Sequence, residues 1–286
     1  MPLIDLHMHS TVSDGTDTPE ELLQRVREAK ITLFALTDHD AVKGCGMIRK
    51  ALRAGDPVLL NGVEFSCRDE EGKYHILGYG YDPKSEAIRE TVEAGHQMRI
   101  RKVEARLDYL RTVLGISFPE EESRRLLALD NPGKPHIGNL MVKYGYAKTK
   151  DQAIREYISR IRIHSEYLRP EQAIQGILQG GGIPVLAHPA FGSGEQLILG
   201  EEMDRRLHRL TEYGLMGLEG FYSGFSPEQR AETLAFAEKY HLYVTAGSDY
   251  HGTNKRVRLG NTGLDQAECM PEGLRRFLEK AGIDCP

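Results

Sequence analysis

An α/β fold, in which a helical insertion splits one barrel-like domain, is predicted for this 286-residue chain by three observations. Short β-rich apolar runs alternate with amphipathic helical stretches towards both ends of the sequence, a rhythm that packs helices onto a mostly parallel sheet. Between residues 85 and 169 the rhythm gives way to charged helical segments alone. Histidines and carboxylates fall where predicted strands run out, and strand ends are where α/β folds gather chemical groups. The expected organisation is a first barrel part over residues 1–84, an insertion over 85–169 and a second barrel part over 170–286.

The first strand is predicted over residues 3–7. A helix follows from Thr18-Pro19-Glu20-Glu21, where Thr18 and Glu21 have capping-box spacing and Pro19 suits the first helical turn. Strands are expected over 33–37, 58–64 and 74–79, the last two joined through the polar turn 68–73 as a hairpin. In the insertion, helices are predicted over 85–114, 119–129, 137–144 and 150–161, separated by breakers at Gly115, Pro119, Asn131-Pro132-Gly133 and Gly145. Alternation resumes with a helix over 170–179, strands over 183–187 and 217–220, a helix over 226–241 and a strand over 243–246.

With 40% hydrophobic residues the chain can bury a sizeable core. Its 37 basic and 42 acidic residues give a net charge of −5, which argues against a general grip on long DNA and leaves polyanions to be recognised locally. The four cysteines, Cys45, Cys67, Cys269 and Cys285, show no CxxC spacing and read as free thiols. No apolar stretch approaches the roughly 20 residues of a membrane span, and the N-terminus enters a strand at once, so a cytoplasmic protein with no membrane partner is expected.

His7 and His9 stand two apart, so on a strand both face one side and can share an ion. Asp14 follows in the loop Ser13-Asp14-Gly15; then come Thr37-Asp38-His39-Asp40, Glu64, His75, Ala187-His188-Pro189 and Ser248-Asp249-Tyr250-His251. One HxH pair alone is often a strand end hydrogen-bonded to backbone. The sum is the ligand set of borderline divalent metals, and it reads as a metalloenzyme. The remaining histidines His96, His164, His208 and His241 read as surface groups.

The order HxH, TDHD, strand-final Glu, AHP and GSDxH resembles the polymerase and histidinol phosphatase (PHP) family of metal-dependent phosphoesterases, strongly over residues 1–80 and 180–260. The helical insertion also resembles the branch acting on nucleotide phosphates. The resemblance implies a distorted (β/α)7 TIM-like barrel with two or three divalent ions, Mn, Zn or Fe, at its C-terminal rim. It implies that His7, His9, Glu64 and Asp249 hold a first ion, Glu64, His75 and His188 a second, and Asp14, His39 and His251 a third. Many relatives have His where Asp14 stands, and His75 could instead be a strand residue facing another way. Asp38 and Asp40 are read as orienting ligand imidazoles.

Paired divalent ions suit phosphate-ester hydrolysis, and no P-loop, GxSxG elbow or Cys/His nucleophile pattern competes. The expected reaction is attack of metal-bound hydroxide on the phosphomonoester of a nucleotide, AMP-like or a nucleoside 3′,5′-bisphosphate, with Asp14, Glu64, Asp249 and His136 as catalytic groups. Gly133-Lys134-Pro135-His136 opens a predicted helix, where amides, dipole and the two side chains favour an anion. The resemblance makes Lys134 and His136 substrate-contacting, with lysine where arginine is common; the alternative is a capping loop. Lys255, Arg256 and Arg258 would bind a second phosphate or form a solvated loop. Phe221, Tyr222 and Phe225 would stack a base or pack in the core. The run Arg99-Ile100-Arg101-Lys102 reads as a solvated helix face. Alternatives to a small-molecule phosphatase are a 5′-3′ exonuclease on short RNA and a non-catalytic metal-binding interaction module. The sequence leaves the oligomeric state open.

Overall fold

Seven strands form one sheet whose spatial order is the chain order in the computed structural model, which describes residues 3–162, 166–192, 197–267 and 269–284. They are β1 (Ile4–Asp5), β2 (Leu33–Leu36), β3 (Val58–Arg68), β4 (Lys73–Tyr79), β5 (Ile183–Leu186), β6 (Gly217–Tyr222) and β7 (Tyr243–Gly247). Neighbours pair in parallel except around β4, which runs antiparallel to both β3 and β5. The Leu6 N–H donates to Ala246 O at 2.8 Å and the Asp249 N–H to His7 O at 2.8 Å, so the first and last strands meet and the barrel is nearly closed. The expected TIM-like barrel holds, with the hairpin-forming β4 as its distortion.

The helices among the described residues are α1 (Pro19–Glu28), α2 (Lys43–Ala51), α3 (Glu86–Leu114), α4 (Glu120–Leu127), α5 (Lys134–Lys143), α6 (Lys150–Gln152), α7 (Pro170–Gln179), α8 (Gly200–Glu212), α9 (Pro227–Lys239) and α10 (Glu272–Lys280). The capping box of α1 forms: the Glu21 N–H donates to Thr18 Oγ1 at 3.2 Å and the Thr18 N–H to Glu21 Oε2 at 2.8 Å. Its Leu22, Leu23 and Val26 then pack with Met8, Phe34, Leu36 and Ile48. Each such fully buried aliphatic side chain contributes about 1.5–3 kcal/mol. Helix α2 was not predicted, because its glycines mask helix propensity. Gly44 is needed for packing: a Cβ there would stand 2.6 Å from Asp38 Oδ2 and from Leu36 Cδ2.

The chain divides into two compact units, Met1–Val92 with Leu168–Pro286, and Glu93–Tyr167. The second begins later than the expected residue 85, since Ile88 and Thr91 of α3 lie against Gly180 and Gly176 beside α7, within the barrel unit. The helical unit has its own core of Val103, Leu110, Ile137, Met141 and Ile158. Its expected helix 150–161 is α6 followed by a π turn over Ala153–Tyr157 and a 3-10 turn over Ile158–Arg160. No helix of the described residues is long and apolar enough to cross a membrane. His164 and Cys285 lie outside the described residues.

Candidate metal centre

Segments following the strands hydrogen-bond to one another around the barrel rim, and this continues the register that aligns the ligand side chains. The His9 N–H donates to Tyr250 O at 2.8 Å and Met8 bridges Tyr250 in parallel, which sets the HxH segment beside Asp249 and His251. His39 bridges Glu64 in parallel, with the Asp40 N–H on Glu64 O at 2.9 Å. The β3–β4 register pairs Ser66 with His75, so His75 shares the face of Glu64. The Ala187 N–H donates to His75 O at 3.0 Å and delivers His188 beside it.

All nine predicted ligands converge. The Glu64 carboxylate, 1% exposed, is the hub: Oε1 lies 2.8 Å from His75 Nδ1, 3.3 Å from His188 Nε2 and 3.4 Å from His7 Nε2. Its Oε2 lies 3.0 Å from His39 Nδ1 and 3.2 Å from His9 Nε2. Asp249 Oδ1 approaches His251 Nδ1, His9 Nε2 and His7 Nε2 at 3.3, 3.5 and 3.6 Å. Asp14 Oδ1 stands 3.2 Å from His251 Nε2 and 3.9 Å from both His9 Nδ1 and His39 Nε2. Four overlapping groups have ligand atoms close enough for one ion: His7, His9 and Asp249; His7, Glu64 and His188; His39, Glu64 and His75; and His9, Asp14, His39 and His251. These groups cross the three-ion division drawn above, because His7, His9, His39 and Glu64 each belong to two.

The donor set fits a divalent metal on a structural criterion. His7 Nε2, His9 Nε2, His39 Nδ1, His75 Nδ1 and Glu64 Oε2 are buried without a hydrogen bond. Buried polar atoms are normally paired, and here five orphans face one another. Burial works against charging His7, but Glu219, Glu64 and Asp249 raise its pKa well above the usual histidine value. His9 is likewise pushed up to about 9, against burial, by Asp249 and Glu64. Burial lowers His39 and His75, with neighbouring imidazoles adding to it. Burial alone would raise Glu64, Asp14 and Asp249, yet the imidazoles, and Lys255 for Asp249, hold all three well below the usual carboxylate range. The centre demands positive charge, and metal binding would release the protons that supply it. Among the described residues, three of the five non-glycine positions with positive φ, Asp40, His188 and Asp249, lie at this rim, as expected where function holds strained backbone.

Other predicted positions divide. Asp38 reaches no ligand imidazole by a hydrogen bond. It accepts from Ser10 N–H at 2.8 Å, Ser10 Oγ–H at 2.8 Å and Ser13 Oγ–H at 2.7 Å, and Ser13 Oγ lies 3.4 Å from His9 Nδ1. Its hydrogen-bonded link to His9 runs through the serine loop, beside a direct charge interaction between the two. Asp40 accepts from the Ser66 N–H at 3.1 Å. Lys255 reaches the centre, its Nζ 2.5 Å from Asp249 Oδ2, whereas Arg256 and Arg258 are exposed and do not line the cleft. Phe221 is core at 2% exposure. The Tyr222 hydroxyl donates to Asp249 Oδ2 at 2.9 Å, and Tyr222, Phe191 and Phe225 stack as an aromatic cluster. A cleft of ≈ 260 Å³ opens above the hub, lined by His39, Glu64, His75, His188, Asp249 and Lys255, with Phe191, Gly192 and Tyr222 completing it.

In the helical unit, Lys134 and Pro135 open α5. The His136 ring turns back so that Nδ1 accepts the Gly133 N–H at 3.2 Å, and Lys134 Nζ lies 3.3 Å from Ser159 Oγ. Of the expected surface histidines, His208 and His241 are exposed and His96 is half-buried, its Nδ1 enclosed. Reasoning from sequence missed Glu219, whose carboxylate lies behind His7; the available signal was a lone acid in the apolar strand Gly217–Tyr222.

Residues 5–168 match the PHP domain family. The chain is 30% identical over 283 residues to the 3′,5′-nucleoside bisphosphate phosphatase of Chromobacterium violaceum, covering 95% of each. It is 28% identical over 263 residues to the 5′-3′ exoribonuclease Rnm of Escherichia coli K12, covering 90% of this chain and 88% of that one. Among solved structures, a metal-dependent phosphoesterase of Bifidobacterium adolescentis superposes with a TM-score of 0.81 at 27% identity, over 97% of this chain and 96% of that one.

Proposed function

The chain belongs to the PHP domain family, and from that premise we propose that this metal-dependent phosphoesterase hydrolyses the phosphomonoester of a small nucleotide, AMP-like or a nucleoside 3′,5′-bisphosphate, releasing inorganic phosphate. The observation that carries the reading is the set of five orphaned buried atoms at and around Glu64, beside a cleft of ≈ 260 Å³ that His39, Glu64 and His75 line. The four ligand groups would hold two or three ions of Mn, Zn or Fe, with Glu64 shared between them. Bound divalent ions supply Lewis acidity: they lower the pKa of a water and neutralise phosphoryl oxygens.

The protein's own residues prepare the rest. Glu64, Asp249 and Asp14 bring negative charge to a buried site, where it holds cations more strongly than in water. Lys255 and the Tyr222 hydroxyl fix the second oxygen of Asp249, leaving the first for the imidazole cluster. Phe191 and Tyr222 give the cleft an aromatic wall that suits a planar base. Lys134 and His136 are proposed as phosphate-contacting groups of the helical unit. With His136 Nδ1 accepting the Gly133 N–H, Nε2 is the ring nitrogen proposed to donate to phosphate.

A second reading, a 5′-3′ exonuclease on short RNA, is favoured by the similarity to the Escherichia coli exoribonuclease. One screen separates the two: phosphate and nucleotide release from AMP, adenosine 3′,5′-bisphosphate, a dinucleotide and short RNA, each with Mn, Zn or Fe. Preference for the mononucleotides supports the proposal, and much faster cleavage of the dinucleotide or RNA transfers it to the exonuclease. A metal-loaded protein inactive on the whole panel refutes both.

A further inference from the structure

Glu219 sits in β6 with no exposed surface, and neither of its oxygens faces the cleft lining. Oε1 stands 2.9 Å from His7 Nδ1, and Oε2 accepts the His188 backbone N–H at 2.7 Å. One carboxylate thus reaches two segments that arrive at the centre from different strands. We propose that Glu219 is a positioning residue, fixing the tautomer of His7 and the backbone of His188 for metal binding, in a space that Gly247 keeps open. The inference rests on the metal-centre reading above.

The chemistry follows from the imidazole. Once an ion has displaced the proton that the surrounding carboxylates favour, His7 is a neutral ring with one N–H and one lone pair, and a carboxylate beside Nδ1 requires the N–H there. Nε2 is then left as a lone pair directed at Glu64 and Asp249, where it makes no hydrogen bond. The opposite tautomer would set a lone pair against the carboxylate and put the proton where an ion must bind. At His188, φ is +27°, a value that side-chain-bearing residues rarely adopt. The bond from its N–H to a charged acceptor holds that turn in place, and its Nε2 stays 3.3 Å from Glu64. Gly247 on the adjacent β7 completes the arrangement: a Cβ there would clash with both Glu219 Oε1 and His7 Cβ. Only a residue without a side chain lets the carboxylate lie behind the ring.

Glu219→Gln tests this with little change in shape. Its amide cannot serve both partners while His7 keeps its proton on Nδ1: the NH₂ group directed at His7, with the oxygen on the His188 N–H, forces the ring proton onto Nε2, and turned the other way the NH₂ opposes the His188 N–H. In metal-stripped full-length protein, Mn²⁺ and Zn²⁺ affinity measured calorimetrically is expected to fall about 10–100-fold. Nitrogen-15 spectra of metal-free, histidine-labelled protein, recorded at a pH where the His7 ring is neutral, should show His7 moving towards the Nε2–H form. Phosphate release should recover towards wild type at saturating metal, with KM for nucleotide unchanged, a split that general loosening of the fold would not give. Glu219→Asp, which keeps the charge but cannot span both partners, provides the second variant and should also weaken metal binding. Wild-type protein that binds no divalent ion overturns the metal-centre reading itself. Wild type that binds metal, with both variants binding equally well and His7 in an unchanged tautomer, overturns the role of Glu219 alone.

Discussion

Replacing Glu64 by Gln exchanges a carboxylate for an amide of nearly equal volume, so packing is kept while one buried negative charge is lost. That charge faces imidazole nitrogens of His75, His39, His9, His188 and His7 at 2.8–3.4 Å. Removing one partner from a buried ionic arrangement costs about 3–5 kcal/mol, which at 1.4 kcal/mol per decade is about 10² to 4 × 10³ in a binding constant. Glu64 belongs to two of the four ligand groups, so the loss falls on more than one ion. The expected result is Mn²⁺ or Zn²⁺ affinity weakened by about that factor, with phosphate release lost at limiting metal. Calorimetric titration of stripped protein, elemental analysis of bound metal and a phosphate-release assay measure these together, with circular dichroism as the check on folding. Wild-type affinity and activity in Glu64→Gln would refute the assignment of Glu64 as the hub.

Three further outcomes are expected. Asp14→Asn should lower the bound metal by about one equivalent while leaving the fold intact, since Asp14 is the most exposed ligand and meets His9, His39 and His251 only at the edge of the cluster; elemental analysis checks it. Lys134→Met should raise KM for nucleotide about 10-fold, the worth of one charge-assisted hydrogen bond, with kcat little changed in steady-state assays. The Arg27 side chain pairs with Asp56 through Nε–Oδ1 at 2.8 Å and Nη2–Oδ2 at 2.6 Å, and its hydrogen bonds hold the Asp56 pKa at about 2 against an ordinary 3.8. A depressed folded-state value means that the pair's stabilisation is complete above about pH 4 and is lost as pH falls through 2. In acid-unfolding curves the difference between wild type and Asp56→Asn should therefore shrink over that interval.

The sequence by itself determined which histidines and carboxylates converge, and the barrel that carries them. His7, His9, His188, Asp249 and His251 were legible because strand geometry gives alternate residues one face, and because strand ends in α/β folds share one rim; Glu64, expected to end its strand, lies within β3, which continues to Arg68. The capping box of α1 and the β3–β4 hairpin were legible from local chemistry alone. Helices α2, α8 and α10 escaped: in α2 glycines hide the pattern, and in α8 and α10 the buried Met203, Leu207 and Leu210, and Leu274, Phe277 and Leu278, stand among many charges. Only tertiary structure decided which candidate ligands share an oxygen, that His75 faces Glu64, that Lys255 rather than Arg256 or Arg258 reaches Asp249, and that Asp38 hydrogen-bonds to serines rather than to an imidazole. It alone placed Glu219 behind His7. The physical reason is that these relations join segments far apart in sequence, 212 residues for His7 and Glu219, through barrel register and the space left by Gly247, and neither quantity is written in any local pattern of residues.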